Sequence, residues 1–180
     1  MDSLKEKKVN SKLVYDGILL KVNRDEAILP DGSVTGREWI AHPGAAAVIP
    51  LTDDRQVILV HQYRYPLQRV TVEIPAGKLD PGENPLICAK RELREETGMS
   101  AKELTYIGSF ATTPAFTNEI IYLYLATGLM PGQDSTDPDE FIEVEKRPLT
   151  NLLNEIERGE IQDAKTIIAL LMAAQKGLLK

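Results

Sequence analysis

Cysteine is almost absent. Cys88 stands alone in 180 residues, so no disulfide can form within the chain, which suits a reducing compartment. Long apolar runs are also missing. None reaches the roughly 20 residues of a membrane-spanning helix. Residues 1–10 are charged and lack the apolar stretch of a secretory signal. A cytoplasmic address is expected, with no membrane partner. Basic residues do not predominate: 21 Lys and Arg face 27 Asp and Glu, for a net charge of −6. A basic surface for nucleic acid is therefore not expected. A small phosphate-bearing molecule is not excluded, because local arginines and metal ions can hold one. What remains is ordinary for a globular protein, with 43% hydrophobic and 27% charged residues. The length suits one domain with a sizeable core, or one domain and a small appendage.

Residues 13–29 read as extended, with Ile18, Leu20, Val22 and Ile28 as apolar points. Asp31-Gly32 supplies a turn, and 34–40 the return strand. His42-Pro43-Gly44 ends this antiparallel piece. It is too small to bury both faces alone, so it must pack on the rest of the chain or on a second copy. Residues 45–51 form a nearly continuous apolar run, the pattern of a buried strand. After the turn at 52–55, further strands are expected at 56–63, 70–74, 104–111 and 120–126, with a short one over 141–146. Residues 130–140 form a loop rich in Asp, Pro and Gly. Helical periodicity covers 149–158 and 164–176, and Gly177 is placed to cap the second. The pattern predicts a mixed α/β domain, of the α+β kind, with strands before and after one central helix.

That helix is 86–97. Asn84 is a good N-cap, Pro85 fits the first turn and Gly98 fits a left-handed cap. Leu86, Ala89 and Leu93 recur at helical spacing and form its packing side. At about 100° per residue, Glu92, Glu95 and Glu96 share an arc on another face. Such a cluster is most often a solvated face. It can also hold a divalent cation, because carboxylate oxygens are what magnesium prefers. Glu92 and Glu96, four residues apart, project side by side and can share an ion. Arg91 and Arg94 relieve part of the repulsion.

The spacing decides between these readings. Gly77, five residues, Glu83, seven residues, Arg91-Glu92-Leu93, one residue, Glu95-Glu96, one residue and Gly98-Met99 resembles the Nudix box at every defining position. Seven such residues, each at a background of about 6%, coincide by chance in roughly one chain per million or fewer. The resemblance implies the Nudix fold, a mixed β-sheet sandwiched between helices. It implies Mg2+ as cofactor, with Mn2+ as a substitute. Glu92 and Glu96 would ligate the metal, helped by Glu95, and the carbonyl of Ala76 is a further ligand. Glu83 and Arg91 would brace the loop, while Gly77 and Gly98 would permit unusual backbone angles. The reaction class is hydrolysis of a nucleoside diphosphate linked to some other moiety.

Features outside the box resemble the ADP-ribose pyrophosphatase branch. Pro114 stands sixteen positions past Gly98, and the segments 60–66 and 72–77 are similar to that branch. Arg64 would contact the diphosphate or the terminal ribose, and Glu73 a polar group of the substrate. The antiparallel strands of 1–43 resemble a small dimerisation sheet through which one subunit completes the other's active site, and 44–180 would be the Nudix domain. On that sheet Arg37 and Trp39 would meet a phosphate and the adenine ring, with Tyr15 a rival for the stacking role. The base would come from the acidic loop 134–143, where Glu140 is favoured over Asp137, Asp139 and Glu143. The expected partners are ADP-ribose and a second copy of the chain. The alternatives are a hydrolase of other nucleoside diphosphate sugars such as GDP-mannose, and a sensor that binds ADP-ribose without cutting it.

Overall fold

A computed structural model describes residues 2–132 and 141–179. The chain divides into two compact units. The first comprises Met1–Gly44 and Ala111–Ile120, and the second Ala45–Phe110 and Ile121–Lys180. The expected first segment, 1–43, thus gains the loop that carries Pro114. Backbone pairing explains the gain: the Ile40 N–H donates to the Phe116 carbonyl at 2.8 Å, and the His42 N–H donates to Asn118 Oδ1 at 2.8 Å.

The first unit is built on a three-stranded antiparallel sheet, β1 (Lys7–Asp16), β2 (Lys21–Ile28) and β3 (Val34–Ala41), in that order. The predicted span 13–29 is therefore two strands separated by a bend. Gly32, at φ 86°, makes the predicted turn between β2 and β3. Its N–H donates to the Leu29 carbonyl at 3.0 Å. Every residue of β1 is exposed, including Val9, Leu13, Val14 and Tyr15.

The second unit contains two sheets. One has the order β10 (Ile142–Pro148), β5 (Gln56–Arg64) and β6 (Arg69–Glu73), all antiparallel. The other has the order β7 (Ala76–Lys78), β4 (Ala45–Pro50), β9 (Ile120–Pro131) and β8 (Met99–Ala111). It is mixed, with β4 parallel to β9 and antiparallel to β7. All six residues of β4 are buried, as the apolar run predicts. Its two faces serve two cores, because alternate side chains of a strand point to opposite sides. Ala46 and Val48 pack with Cys88, Ala89 and Leu93 of α1 (Pro85–Thr97). Ala45, Ala47 and Ile49 pack with Leu59, Leu123 and Leu125, with Leu149 and Leu152 of α2 (Leu149–Glu157), and with Ala169, Leu170 and Ala173 of α3 (Ala164–Gln175). The sheet is therefore covered on both faces, as the sandwich expectation requires. No helix among the described residues is long and apolar enough to cross a membrane.

The chain leaves the first of these sheets at Glu73 and enters the second at Ala76. Backbone groups here have no ladder to pair with, yet buried ones must be paired. The Ile74 N–H donates to Thr166 Oγ1 at 2.8 Å, and the Pro75 carbonyl accepts from the Val48 N–H at 2.9 Å. The Ala76 N–H donates to Glu96 Oε2 at 3.0 Å. This short crossing thus binds α3, β4 and α1 to one another.

Candidate active site

The helix α1 is set by the predicted caps. Asn84 Oδ1 accepts from the Leu86 N–H at 2.9 Å, and Pro85 opens the first turn. Gly98, at φ 65°, ends the helix with its N–H on the Arg94 carbonyl at 2.8 Å. The packing side holds Ala89 and Leu93 as expected, and Cys88 as well. Burial and the nearby Glu92 charge push the Cys88 thiol up to about 12, so it packs rather than reacts.

The glutamates are not a solvated face. Glu92 is 8% exposed and Glu96 6%, while Glu95 is half-buried. Burying carboxylates is costly without compensation. Glu96 takes the Ala76 N–H. Arg91 serves the others. Its Nη1 donates to Glu92 Oε1 at 2.6 Å and to Glu95 Oε2 at 3.0 Å. Its Nε and Nη2 grip Glu83 at 3.1 and 3.0 Å, and Nη2 also reaches the Lys78 carbonyl. Glu83 in turn accepts from the Asp80 N–H at 3.0 Å, which closes the loop ahead of the helix. Arg91, then the Asp80 N–H, hold the Glu83 carboxyl at about 2.

Gly77 serves a purpose other than the expected one. It is not among the glycines of positive φ, so no unusual backbone angle requires it. Instead, a Cβ built there would lie 1.9 Å from Glu92 Oε1 and 2.1 Å from its carboxyl carbon. The residue is small because the Glu92 carboxylate occupies that space. Only the close approach of two chain segments creates this demand, and the sequence does not display it.

No three His, Cys, Asp or Glu side chains among the described residues form a ready cage for a cation. Arg91 lies among Glu83, Glu92 and Glu95 and supplies the counter-charge. The donor types nevertheless suit a hard divalent ion: carboxylate oxygens on one capped helix, where Glu96 takes the N–H of Ala76 on the neighbouring strand. Glu92, Glu95, Glu96 and Ala76 all belong to this second unit.

Arg64 and Glu73 are also in this unit, joined to each other. Arg64 Nε donates to Glu73 Oε1 at 2.7 Å and Nη2 to Oε2 at 2.5 Å. Thr71 Oγ1 donates to Oε1 at 2.6 Å, and Lys165 Nζ donates to Oε2. Burial pushes the Glu73 carboxyl up, but Arg64, Lys165 and Thr71 outweigh it and hold it at about 2. Lys165, absent from the expectations, gives no sequence signal beyond a charge in the first turn of an apolar helix.

Arg37, Trp39 and Pro114 fall in the first unit. Arg37 forks onto Glu6 at 3.0 and 2.7 Å, and Trp39 Nε1 donates to Asp25 Oδ2 at 3.0 Å. Pro114 is exposed, as is Tyr15. Glu140, Asp137 and Asp139 lie outside the described residues, and Glu143 is exposed on β10.

Comparison with known proteins adds an independent line. The family model described as NUDIX domain matches residues 41–170. The chain is similar to the ADP-ribose pyrophosphatase of Bacillus subtilis (strain 168), 43% identical over 172 residues, which cover 94% of this chain and 93% of that protein. It is similar to the methanol dehydrogenase activator of Bacillus methanolicus, 42% identical over 167 residues, covering 92% of this chain and 90% of that protein. The fold resembles the crystal structure of an ADP compounds hydrolase, with a TM-score of 0.86 at 24% identity over 97% of this chain and 96% of that one.

Two outcomes test this geometry. In Gly77→Ala, the new methyl group displaces the Glu92 carboxylate, the end of a flexible side chain. The loss of stability is therefore small, at about 1 kcal/mol, while pyrophosphatase kcat/KM falls at least about tenfold. Thermal melts and steady-state kinetics check both, and unchanged kinetics would remove the steric argument. The second outcome concerns pH. Glu73 is held at about 2 against an ordinary 4.5, so its ionisation stabilises the fold fully above pH 4.5. That contribution, on the order of 3 kcal/mol, is lost as pH falls toward 2. Urea unfolding should show a steeper pH dependence for the wild type than for Glu73→Gln across that window. Equal slopes would mean that Glu73 is not ion-paired in the folded state.

Proposed function

The chain belongs to the Nudix hydrolase family, and on that footing we propose that it cleaves the pyrophosphate bond of ADP-ribose to give AMP and ribose 5-phosphate. The observation that carries the reading is the likeness to an ADP-ribose pyrophosphatase along nearly the whole chain, N-terminal strands included. The intact box supports the reaction class, because two buried glutamates on one helix are costly to keep unless they serve a charge.

Glu92, Glu95, Glu96 and the Ala76 carbonyl would hold Mg2+, for which Mn2+ could substitute. When bound, such an ion polarises the phosphorus and lowers the pKa of a coordinated water. Arg91 and Glu83 keep the glutamates in register. Arg64 presents its guanidinium to a diphosphate oxygen, a geometry that suits planar bidentate recognition. Trp39 and Arg37, on the sheet through which one subunit would complete the other's active site, would supply a stacking ring for adenine and a cation for phosphate, with Pro114 a further substrate contact. Glu140 accepts the proton of the attacking water. The water oxygen bonds to one phosphorus, and the bond from that phosphorus to the bridging oxygen breaks. The reading includes a homodimer, supported by the exposed apolar side chains of β1, and a cytoplasmic address.

One observation favours a second reading, activation of a dehydrogenase: the 42% identity to the methanol dehydrogenase activator. The two are separable, since Glu96→Gln should abolish hydrolysis, and any stimulation that survives it would not depend on cleavage.

A panel of ADP-ribose, GDP-mannose, NADH and nucleoside triphosphates with magnesium tests the substrate. ADP-ribose should give the highest kcat/KM by at least about tenfold, and a higher value for GDP-mannose would replace it as substrate. Glu140→Gln should lower kcat by about a hundredfold or more with KM nearly unchanged. An unchanged kcat would move the base to Glu95 or another loop acid.

A further inference from the structure

Glu73 is held by two cations, Arg64 and Lys165, where one would neutralise it. Its carboxylate is 2% exposed and takes four donors, two from Arg64, one from Thr71 and one from Lys165. A single guanidinium fork already neutralises one carboxylate. The chain nevertheless buries a second cation, Lys165, at 9% exposure, and sets Asp163 Oδ1 3.1 Å from its Nζ. Buried ion clusters are often no more stabilising than apolar side chains of the same volume. Lysine at the first turn of an otherwise apolar helix is therefore not explained by stability.

Its placement explains it better. The terminal torsion of a glutamate is broad, so a carboxylate held from one side can turn. Arg64 comes from β5 and approaches Glu73 along one edge. Lys165 comes from α3, whose N-terminus is fixed by Asp163 Oδ2 on the Thr166 N–H at 2.9 Å. Thr166 in turn holds Ile74, the residue after Glu73. Oε2 is thus pinned from α3, and the plane of the Arg64 fork is set with it. Nη1 of Arg64 is outside the fork with Glu73. The guanidinium also feels the charge of Glu96, whose carboxylate holds the Ala76 N–H three residues beyond Glu73. Asp163 balances Lys165, so what Lys165 adds at Glu73 is direction rather than charge, and the Arg64 fork is held with Nη1 outside it.

We propose that Lys165 is a positioning residue: by holding Glu73 from α3, it orients Arg64 toward a diphosphate oxygen of the substrate. Glu73 then acts through Arg64. This rests on the reading above that Arg64 meets the diphosphate, and not on which nucleoside or sugar is attached.

A double-mutant cycle tests it, run on whichever nucleoside diphosphate compound the panel ranks first. Lys165→Met should raise KM about tenfold with kcat within about twofold, the pattern of lost ground-state binding. Lys165→Arg should recover KM to within about threefold of the wild type. In an Arg64→Ala background, Lys165→Met should raise KM no further, because both act through one guanidinium. Lys165→Gln takes the place of Lys165→Met if melting shows that variant to be unfolded. Independent, multiplying effects on KM would overturn the proposal, as would an unchanged KM in Lys165→Met. If Arg64→Ala itself leaves KM unchanged, the diphosphate role of Arg64 fails and the proposal falls with it. If Arg64→Ala raises KM while Lys165→Met is silent, only the proposal falls.

Discussion

Desolvation of carboxylates is the constraint on which the second unit depends. Glu73, Glu92 and Glu96 are all under a tenth exposed, and a buried unpaired charge costs several kcal/mol. Each is met by a different element. Arg64 and Lys165 reach Glu73 from β5 and α3. Arg91 reaches Glu92 from the same helix. The Ala76 N–H reaches Glu96 from the crossing between the two sheets. The compensating groups therefore double as fastenings between layers. At the crossing, Glu96 adds to the bonds that Ile74 makes with Thr166 and Pro75 with Val48.

The sequence displays those parts of this arrangement that depend on local chemistry. Asn84, Pro85 and Gly98 mark the ends of α1, and the structure uses all three. The apolar run at 45–50 announces a strand buried on both faces, and β4 is that strand. Box spacing brings Glu83, Arg91 and Glu92 together, because a helix and its preceding loop determine their separation. What the sequence hides is the consequence of contact at a distance. Gly77 is explained by a carboxylate fifteen positions later, not by its own φ. Cys88 is read as a lone thiol until the helix is packed on Ala46 and Val48. Lys165 lies 92 residues from Glu73 and has no motif. The loop with Pro114 joins the N-terminal strands through Ile40 and His42, a pairing that no local pattern foretells.

The box and the Glu73 cluster share a design. In each, an arginine forks onto a glutamate of its own unit. Arg91 divides its nitrogens among Glu83, Glu92 and Glu95, whereas Arg64 gives one edge to Glu73. The difference bears on the roles proposed for them. A guanidinium fully spent on protein acids braces them and is charged regardless of solution pH. One with a nitrogen to spare can still recognise an oxyanion.

The charge balance of the box helix leads to the same division of labour. Glu83, Glu92, Glu95 and Glu96 carry four negative charges, and Lys90, Arg91 and Arg94 carry three positive ones, which leaves −1. A fully neutral set would be more stable by itself, since close like charges repel. Glu73 is met by a guanidinium fork and a buried lysine, whereas Glu92 is met by Arg91, which it shares with two other acids, and Glu96 by the backbone N–H of Ala76. That contrast, inside one unit, supports the proposed division between a carboxylate that positions Arg64 and carboxylates that would hold a cation.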